Sequence, residues 1–304
     1  MDESTTSKVV AWLNKHYPHL AVVMYDIGAR YGIHYLYLEL LNLKKFSVVG
    51  FEPDPEEVIK QIQAKNSGIK QIFPLALAES KGMRKIYITK HPGCSSLYPP
   101  NLDLLSQYLS SDFFEIIDTK LIETISLDEF IEQFDVVPPD FLKIDIQGAE
   151  YEVLQGGKLT VSNDVVGIFL ETQLRELYLG APLFPEIHSL LTNQGFRLIF
   201  CEYNPDLGGE IVEFDVAYVR ELTKSHQEDN LLKAILFCLV HKNLDFAANL
   251  VRRSHLSESK KLKIMEILSQ PLNPTPMVVN PDNPYISSKI EMRKIHEDWW
   301  KTEP

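Results

Sequence analysis

Hydrophobic and polar positions alternate with two different periods along the first part of the chain. Short apolar runs rich in β-branched residues, such as AVVMYD (21–26) and FSVVGFE (46–52), each end in an acid. Around and between them, residues 5–17, 33–42 and 53–66 place apolar side chains at helical spacing. This order of strands and helices predicts βαβ units and a parallel sheet.

The alternation continues with more turn-forming residues in the middle of the chain. Ser126, with Glu129 three positions later, predicts a helix that starts with a capping box. Gly195 is expected to end a helix over 183–195. Residues 69–79 are predicted as a third strand that runs out into a loop. The remaining segments are predicted as strands, the last two forming an antiparallel pair: 84–90, LIETI, FLKID, VVGIFLE, FRLIFCE and VEFDVAYVR.

A change of pattern late in the chain predicts a division into two parts. We interpret residues 1–222 as an α/β domain with an N-terminal helix, and 223–304 as a helical appendage with a proline-rich tail. Residues 228–269 have helical spacing, and their apolar face favours packing on the sheet. A lid over the acceptor site, or a contact between copies in a homo-oligomer, is the alternative. Trp299 and Trp300 could insert into a partner subunit or stack on a sugar.

The composition is typical of a soluble globular protein. The 304 residues are 45% hydrophobic and 24% charged, with a formal net charge of −12. This acidity, without a basic block, disfavours binding to nucleic acid or an anionic membrane surface. We see no apolar run of the roughly 18 residues that a membrane span needs, and the acidic N-terminus is unlike a signal peptide. The three separated cysteines indicate neither a zinc site nor a disulfide framework, and we expect a cytoplasmic protein.

The turn DIGARYG, from Asp26 to Gly32, follows the first predicted strand, where open parallel sheets bind ligands. Gly28 permits a tight turn and a close approach of the backbone, and Gly32 lets the next helix pack near the strand. The start of that helix would offer free N–H groups to a ligand. Glu52 ends the second strand, where an acid can accept hydrogen bonds from a ribose diol.

Two nucleotide-like cofactors bind at such an edge, and the acid at position 26 separates them. A nicotinamide dinucleotide needs GxGxxG to seat its pyrophosphate, whereas this turn reads D-x-G-x-x-x-G. S-adenosylmethionine (SAM) carries an ammonium and a sulfonium and no phosphate, which suits Asp26. We therefore favour SAM, and a nicotinamide-dependent dehydrogenase is the more distant alternative.

At this point the sequence resembles a known family. DIGARYG, GFEPDPE, FPLALAE, GCSSL, TISLDEF, LKIDIQGAEYEVLQGG and GIFLETQ occur in the order found in the FkbM-type methyltransferases, over about residues 22–220. The resemblance implies a Rossmann-like class I SAM-dependent methyltransferase sheet, here followed by a C-terminal helical extension. It also implies O-methylation of a hydroxyl on a sugar, glycan or secondary metabolite.

The resemblance assigns cofactor residues and shows two departures. It places Asp26, Gly28 and Gly32 at the methionine end of SAM, Glu52 at the ribose, and Ala78 and Glu79 near the adenine. Ser95 and Ser96 match a serine segment of the family without a role that we can assign. Arg30 stands where the family often has a small polar residue, and Gln147 stands where it usually has glutamate.

Charged residues within FLKIDIQGAE (141–150) supply the candidate chemistry. Methyl transfer is an in-line displacement that needs aligned reactants and a base for the hydroxyl proton. Asp145 and Glu171 end neighbouring strands on one rim, and we expect one of them to be that base, with Asp145 also beside the cofactor. Lys143 lies on the same strand face and could orient Asp145. Glu150 is either catalytic or an acid that stabilises a helix start.

Alternatives remain open at this site. His34 and His91 are further candidate bases. A divalent cation could bind to the carboxylates of Asp145, Glu150 and Glu171, although we predict no metal. Gln147, where an acid is expected, keeps a second function class open, a SAM-fold module that binds or assembles without catalysis. For the enzyme, we expect a small-molecule or glycan acceptor.

Overall fold

The computed structural model describes residues 4–64, 68–108, 110–203, 210–222 and 227–269. Its strands are β1 (Val22–Ile27), β2 (Phe46–Phe51), β3 (Gln71–Phe73), β4 (Ala76–Leu77), β5 (Gly82–Thr89), β6 (Ile116–Ile125), β7 (Phe141–Ile144), β8 (Gly167–Gln173), β9 (Phe196–Tyr203) and β10 (Glu213–Arg220). Its α-helices are α1 (Thr5–His16), α2 (Pro55–Gln63), α3 (Leu102–Leu105), α4 (Leu127–Phe134), α5 (Glu150–Gly156), α6 (Lys158–Asn163), α7 (Phe184–Asn193), α8 (Glu228–Val240), α9 (Leu244–Arg253) and α10 (Glu258–Leu268). Short 3₁₀-helices cover Tyr35–Asn42, Pro92–Cys94 and Ser111–Phe114.

A seven-stranded sheet has the order β3-β2-β1-β7-β8-β10-β9. Its first five strands are parallel, and β10 is inserted antiparallel between β8 and β9. The order changes direction between β1 and β7, so the loops after these two strands flank the crevice in which doubly wound sheets bind ligands. The predicted α/β class and Rossmann-like sheet are confirmed, including the antiparallel pair near its end.

The third predicted strand is divided at Pro74. β3 ends at Phe73 in the main sheet, whereas β4 belongs to a second sheet with the order β4-β6-β5. Proline has no N–H to donate, so a strand that passes through it loses a ladder hydrogen bond. Residues 69–79 were expected to form a strand that runs out into a loop; the strand is present as β3, but the segment after Pro74 pairs in the second sheet instead of forming only a loop.

Local signals set the ends of several helices as predicted. The Ser126 side chain accepts the N–H of Glu129 at 3.2 Å, and the Glu129 carboxylate accepts the N–H of Ser126 at 3.1 Å, which completes the capping box of α4. Gly195, with a φ of 80°, follows α7 in the left-handed conformation that glycine favours. The helix predicted over 33–42 is a 3₁₀-helix that starts at Tyr35.

Each face of the main sheet has its own hydrophobic core. One core contains Tyr25 and Leu142 and is covered by α4, α5 and α7. The other contains Met24 and Phe169 and is covered by α1 and by α8, α9 and α10. The helices of the predicted appendage therefore share a core with the sheet.

Gly167 provides the contact between β8 and α8. A Cβ at this position would lie 2.4 Å from the Phe237 ring, so the absence of a side chain lets the ring rest on the strand. Lys233, on the same helix, pairs with Asp140 at 2.7 Å, with both side chains 15% exposed. The sequence of α8 thus fits one place on the sheet.

Truncation of Phe237 tests how firmly α8 is coupled to the sheet. Phe237→Ala is expected to lower the free energy of unfolding by about 3–5 kcal/mol, because it leaves a cavity in a fully buried contact. Urea denaturation followed by fluorescence and circular dichroism measures this change. Leu262→Ala on α10 is the control, since Leu262 is 70% exposed. A Phe237→Ala loss below about 1 kcal/mol would show that α8 does not stabilise the sheet.

Three predictions for residues 223–304 are not tested by the structure: the domain division, oligomerisation and the role of the two tryptophans. The division at residue 222 and homo-oligomerisation through the C-terminal helices are not decided by the contacts within one chain. Trp299 and Trp300 lie outside the described residues. Within the described ranges, none of the helices is both long and apolar enough to cross a bilayer.

Candidate active site

A buried ion triad lies where β1 and β7 end. Asp26 and Lys143 are register partners on these adjacent strands, so their side chains share one face of the sheet. Lys143 Nζ lies 3.3 Å from Asp26 Oδ1 and 3.4 Å from Asp145 Oδ2. It also donates a hydrogen bond of 3.2 Å to the carbonyl of Gly28. The lysine thus joins two predicted site acids to the glycine turn.

Burial and neighbouring charges act against each other on the pKa values of Asp26 and Lys143. Asp26 is 0% exposed, and burial raises its pKa to about 6, although Lys143 opposes the shift. Burial lowers the pKa of Lys143, but Asp26 and Asp145 outweigh burial and raise it above the ordinary range. The lysine is therefore cationic at neutral pH, and both acids are drawn toward it. Asp145, with 26% of its side chain exposed, is the member that reaches the surface of the crevice.

The glycine turn contains three residues with left-handed backbone. Gly28, Tyr31 and Gly32 have φ values of 84°, 76° and 85°. A Cβ on Gly28 would lie 1.9 Å from the carbonyl oxygen of Asp145, so the loops after β1 and β7 touch through their backbones. This is the close approach that the sequence predicted for Gly28. A left-handed tyrosine is uncommon and stores strain, which clusters at functional sites.

Glu52 lies just beyond β2, on the other side of the glycine turn. It is 4% exposed, and its Oε1 accepts the N–H of Asp54 at 2.9 Å. Arg30 Nη2 lies 3.4 Å from the same oxygen. Burial raises the pKa of Glu52, and Arg30 is the largest influence in the opposite direction. The arginine that departs from the family pattern is thus directed at the acid predicted to hold the ribose.

The two residues predicted near the adenine occupy different environments. Ala78 is fully buried, and its N–H donates to the carbonyl of Ile125 at 3.0 Å. Glu79 is exposed. A Cβ on Gly156 would lie 2.4 Å from the Ala78 carbonyl oxygen, so the end of α5 packs directly on this segment. The glycine pair of LQGG, which the sequence predicts as the end of a helix, also permits this contact.

Gln147 joins Asp145 to Glu171, the two predicted candidate bases. Its Nε2 donates to Asp145 Oδ1 at 3.2 Å and to Glu171 Oε1 at 2.7 Å. Its Oε1 lies 2.7 Å from the hydroxyl of Tyr178, which is fully buried. The backbone of Gln147 is left-handed, with a φ of 60°, and its carbonyl accepts a hydrogen bond of 2.6 Å from Ser96. Position 147 is therefore a fixed junction between two carboxylates.

Two further acids lie beside Glu171, and the sequence analysis did not include them. Asp215 is the register partner of Glu171, and Glu213 is the partner of Gln173, so all four side chains share one face of β8 and β10. Burial, followed by the charges of Glu213 and Asp145, raises the pKa of Glu171 well above its ordinary value. The alternation in VEFDVAYVR placed both acids on one strand face, but not beside β8.

Glu150 lies behind the rim rather than on it. It is 2% exposed, and its carboxylate accepts the N–H groups of Ile146 and Gly148, both at 3.0 Å. Burial raises its pKa to about 7, against the effect of these hydrogen bonds. The Glu150 carboxylate therefore stabilises the loop that carries Gln147, and its hydrogen bonds are with the backbone of that loop.

The candidate histidines are both at helix starts. His34 is 1% exposed, and its Nδ1 accepts the N–H of Leu36 at 3.4 Å at the start of the 3₁₀-helix. His91 precedes Pro92–Cys94, with Nδ1 3.8 Å from Cys94 Sγ. Ser95 Oγ accepts the N–H of Thr89 at 3.2 Å, a turn contact. Within the described part of the chain, no group of three or more His, Cys, Asp or Glu side chains has the geometry to hold a metal ion.

Two long loops meet above the acidic rim. Segments around 94–114 and 177–181 form a separate hydrophobic cluster that includes Leu105 and Tyr178. Their backbones are joined where Leu179 donates to the carbonyl of Pro99 at 2.8 Å. Because loops vary most, the sequence predicts that an acceptor pocket would be shaped by residues 91–112 and 172–183. Tyr178, from the second of these segments, donates a hydrogen bond of 2.7 Å to Gln147 Oε1, so this loop contacts the residue that bridges Asp145 and Glu171.

Sequence comparison gives a family match for this region. A family model described as the methyltransferase FkbM domain matches residues 26–198. Among curated proteins, the chain is similar to the hexuronic acid methyltransferase AglP of Haloferax volcanii, with 25% identity over 137 residues. The aligned part is 44% of this chain and 49% of that protein, so the chain spans about half the length of the curated relative it matches.

Solved structures also resemble the chain, at low identity. The methyltransferase FkbM from Methylobacillus flagellatus KT is 17% identical, with a TM-score of 0.38, over 65% of this chain and 43% of that one. The magnesium protoporphyrin IX methyltransferase ChlM from Synechocystis PCC 6803, solved with bound SAM, is 12% identical, with a TM-score of 0.35. That match covers 71% of this chain and 78% of ChlM.

Proposed function

Because the chain belongs to the methyltransferase FkbM family, we propose that it transfers a methyl group from SAM to a hydroxyl group of a sugar, glycan or secondary metabolite. The observation that supports this most directly is the amide bridge from Asp145 to Glu171 through Gln147. It joins an acid at the cofactor crevice to a second acid beneath the acceptor loops. The rim is thus arranged to hold both reactants together.

The residues around the glycine turn fit SAM. Gly28 brings the backbone close to the crevice without a side chain in the way. Glu52 receives its hydrogen bonds from Asp54 and Arg30 on Oε1, which leaves Oε2 for a ribose hydroxyl. Since Asp26 is fully buried, we assign it to holding Lys143 and the turn, and we assign contact with the SAM ammonium to the partly exposed Asp145.

Glu171 is the better candidate for the base. Asp145 is already paired with the Lys143 ammonium at 3.4 Å, whereas no cation lies within ion-pair distance of Glu171 in the described part of the chain. Burial and the charges of the neighbouring acids raise the pKa of Glu171, and a carboxylate with a raised pKa is the stronger base. Bound SAM would supply a methyl group made electrophilic by its sulfonium. The chain's own part is to align the acceptor oxygen and to receive its proton on Glu171.

Acceptor identity remains the finer part of the proposal. The curated relative is named for a hexuronic acid, which supports testing sugars and glycans first. We also propose a cytoplasmic protein without a nucleic-acid partner, on the basis of its charge and cysteine content. The alternative, a SAM-binding module without catalysis, was favoured by the glutamine at position 147. In the structure Gln147 keeps two carboxylates in place, so its presence no longer counts against catalysis.

Calorimetric titration with SAM and its demethylated product, S-adenosylhomocysteine (SAH), tests the cofactor first. We expect the wild type to bind both, and Glu52→Ala to weaken binding at least tenfold, about the value of a charge-assisted hydrogen bond. Glu123→Ala is the matched control, because Glu123 is an exposed acid on β6. No binding of SAM or SAH by the wild type would contradict the proposal.

Transfer of a labelled methyl group to a panel of acceptors tests the second step. The panel should contain neutral sugars, hexuronic acids and hydroxylated secondary metabolites. Labelling that requires the acceptor hydroxyl and is lost in Glu171→Gln would support the enzyme. Cofactor binding without transfer to any acceptor in the panel would favour the non-catalytic module.

A further inference from the structure

Arg30 has an unusual position for a residue of a cofactor turn. Its guanidinium lies 2.8 Å from Asp54 Oδ2, 3.4 Å from Glu52 Oε1 and 3.9 Å from Glu57 Oε2. Its side chain is only 16% exposed, and those of Glu52 and Glu57 are 5% and 8% exposed. One cation thus serves three carboxylates, two of which are nearly buried. Ion pairs with little exposure are screened less by solvent than surface pairs.

The three acids do not depend on Arg30 equally. Asp54 is the N-cap of α2 and accepts the N–H of Glu56 at 3.0 Å. Glu57 has a second cation, Lys60, at 3.5 Å. For Glu52, Arg30 is the one cation within ion-pair distance in the described part of the chain. Loss of the guanidinium would therefore affect Glu52 most.

The charge of Glu52 matters for the contact that we propose for it. An ionised carboxylate is an acceptor only and can accept from both hydroxyls of a ribose, whereas a protonated one loses part of this capacity. Burial and the charges of Asp54 and Glu57 favour its protonation. Arg30 opposes them, and its contact is with Oε1, the oxygen that also accepts the N–H of Asp54.

We propose that Arg30 is a positioning residue for SAM, which keeps Glu52 ionised and oriented toward the ribose diol. This inference rests on the proposed function, since it requires a ribose at Glu52. The groups that face Glu52 are Arg30 from the β1 turn and Asp54 and Glu57 from α2, with Lys60 behind Glu57. An arginine at this position therefore belongs to the cofactor site rather than to the surface.

Titration with SAH between about pH 5.5 and 8.5 tests the proposal. Without Arg30 the pKa of Glu52 rises, so the ionised form is lost at a higher pH than in the wild type. Arg30→Met should therefore bind SAH up to roughly tenfold more weakly than the wild type at the low end of this range, and the difference should shrink as the pH rises. Arg30→Lys, which retains a cation, should lie between the two.

Two further variants separate positioning from general damage. Glu52→Gln cannot ionise, so its weaker binding should not depend on this titration, and adding Arg30→Met to it should cause no further loss of affinity. Arg175→Met is the matched control, because Arg175 forms an exposed pair with Glu210 at 2.6 Å.

The outcomes distinguish this inference from the proposed function. Wild-type SAH affinity for Arg30→Met at every pH would overturn the role of Arg30 and leave the cofactor assignment intact. A loss that is independent of pH and adds to that of Glu52→Gln would also overturn it, because Arg30 would then act without Glu52. If the wild type itself does not bind SAH, the proposed function fails first.

Discussion

Lys143→Met is expected to lower the free energy of unfolding by about 3–5 kcal/mol near pH 8, because it leaves two carboxylates near each other with no cation between them. Methionine keeps most of the buried stem of lysine, so the loss reports the charge rather than a cavity. The cation it removes lies 3.3 Å from Asp26 and 3.4 Å from Asp145. Asp26 is fully buried and cannot turn to water.

The pH dependence of this loss has a definite sign. The pKa of Asp26, about 6 beside Lys143, rises further when the lysine is gone. A carboxyl whose pKa is higher in the folded than in the unfolded protein costs stability above that pKa, and the cost disappears as pH falls through it. The difference between Lys143→Met and wild type should therefore shrink between about pH 8 and pH 5.

Urea denaturation at several pH values measures this effect. Lys85→Met is the matched control, because Lys85 is exposed on β5. Adding Asp26→Asn to Lys143→Met should restore part of the stability, since it removes one of the two repelling charges. A Lys143→Met protein as stable as the wild type near pH 8 would contradict the triad.

Gly28→Ala is expected to abolish SAH binding and to destabilise the fold by about 3 kcal/mol or more, since strain and overlap both act there. Its Cβ would lie 1.9 Å from a backbone oxygen after β7, and its φ of 84° disfavours any side chain. Relief of the overlap requires the loops after β1 and β7 to separate. These are the loops that flank the crevice in which we propose that SAM binds.

Two other glycines separate the causes. Gly195 has a φ of 80° but open space around a Cβ, so Gly195→Ala should cost only the conformational strain, about 1 kcal/mol. Gly82 has open space and no left-handed φ, so Gly82→Ala should be nearly neutral. Equal losses of stability in all three variants, measured by thermal and urea denaturation, would show that the overlap at Gly28 is relieved without separating the loops.

The fold followed from sequence wherever a signal was local. Apolar runs gave the strands of the main sheet, and the pair Ser126 and Glu129 gave the start of α4 because both partners of a capping box lie within one turn. The break at Pro74 could have been predicted from its missing N–H. Membership of β4 in a second sheet could not, because it depends on pairing with β6, far away in the chain.

The candidate site followed from sequence only as far as strand ends reveal it. Asp145 and Glu171 were expected on one rim because each ends an apolar strand, and the structure joins them through Gln147. The bridge itself could not be predicted, since it depends on a left-handed residue and on the register of β7 with β8. Glu213 and Asp215 were missed because strand insertion places β10 beside β8.

The orientation of individual side chains at the site could not be predicted from the sequence either. The sequence left Glu150 as either a catalytic acid or one that stabilises a helix start, and its carboxylate accepts the N–H groups of Ile146 and Gly148 in the loop before the helix. Arg30 was visible as a departure from the family pattern, yet its partners lie beyond β2 and on α2. Contacts between loops join residues that are far apart in the sequence, so local patterns do not predict them.

The inserted position of β10 has a consequence for how the chain is completed during synthesis. β9 leaves the ribosome first but lies outside β10, so it has no strand to pair with in the main sheet until β10 has emerged. From the end of β8 to the end of α8, translation at about 5–20 residues per second takes on the order of ten seconds. During that interval the edge of β8 has no pairing strand, and the surface at Gly167 that later contacts the Phe237 ring is exposed. Nascent chains with exposed strand edges and apolar surface bind chaperones or mispair most readily.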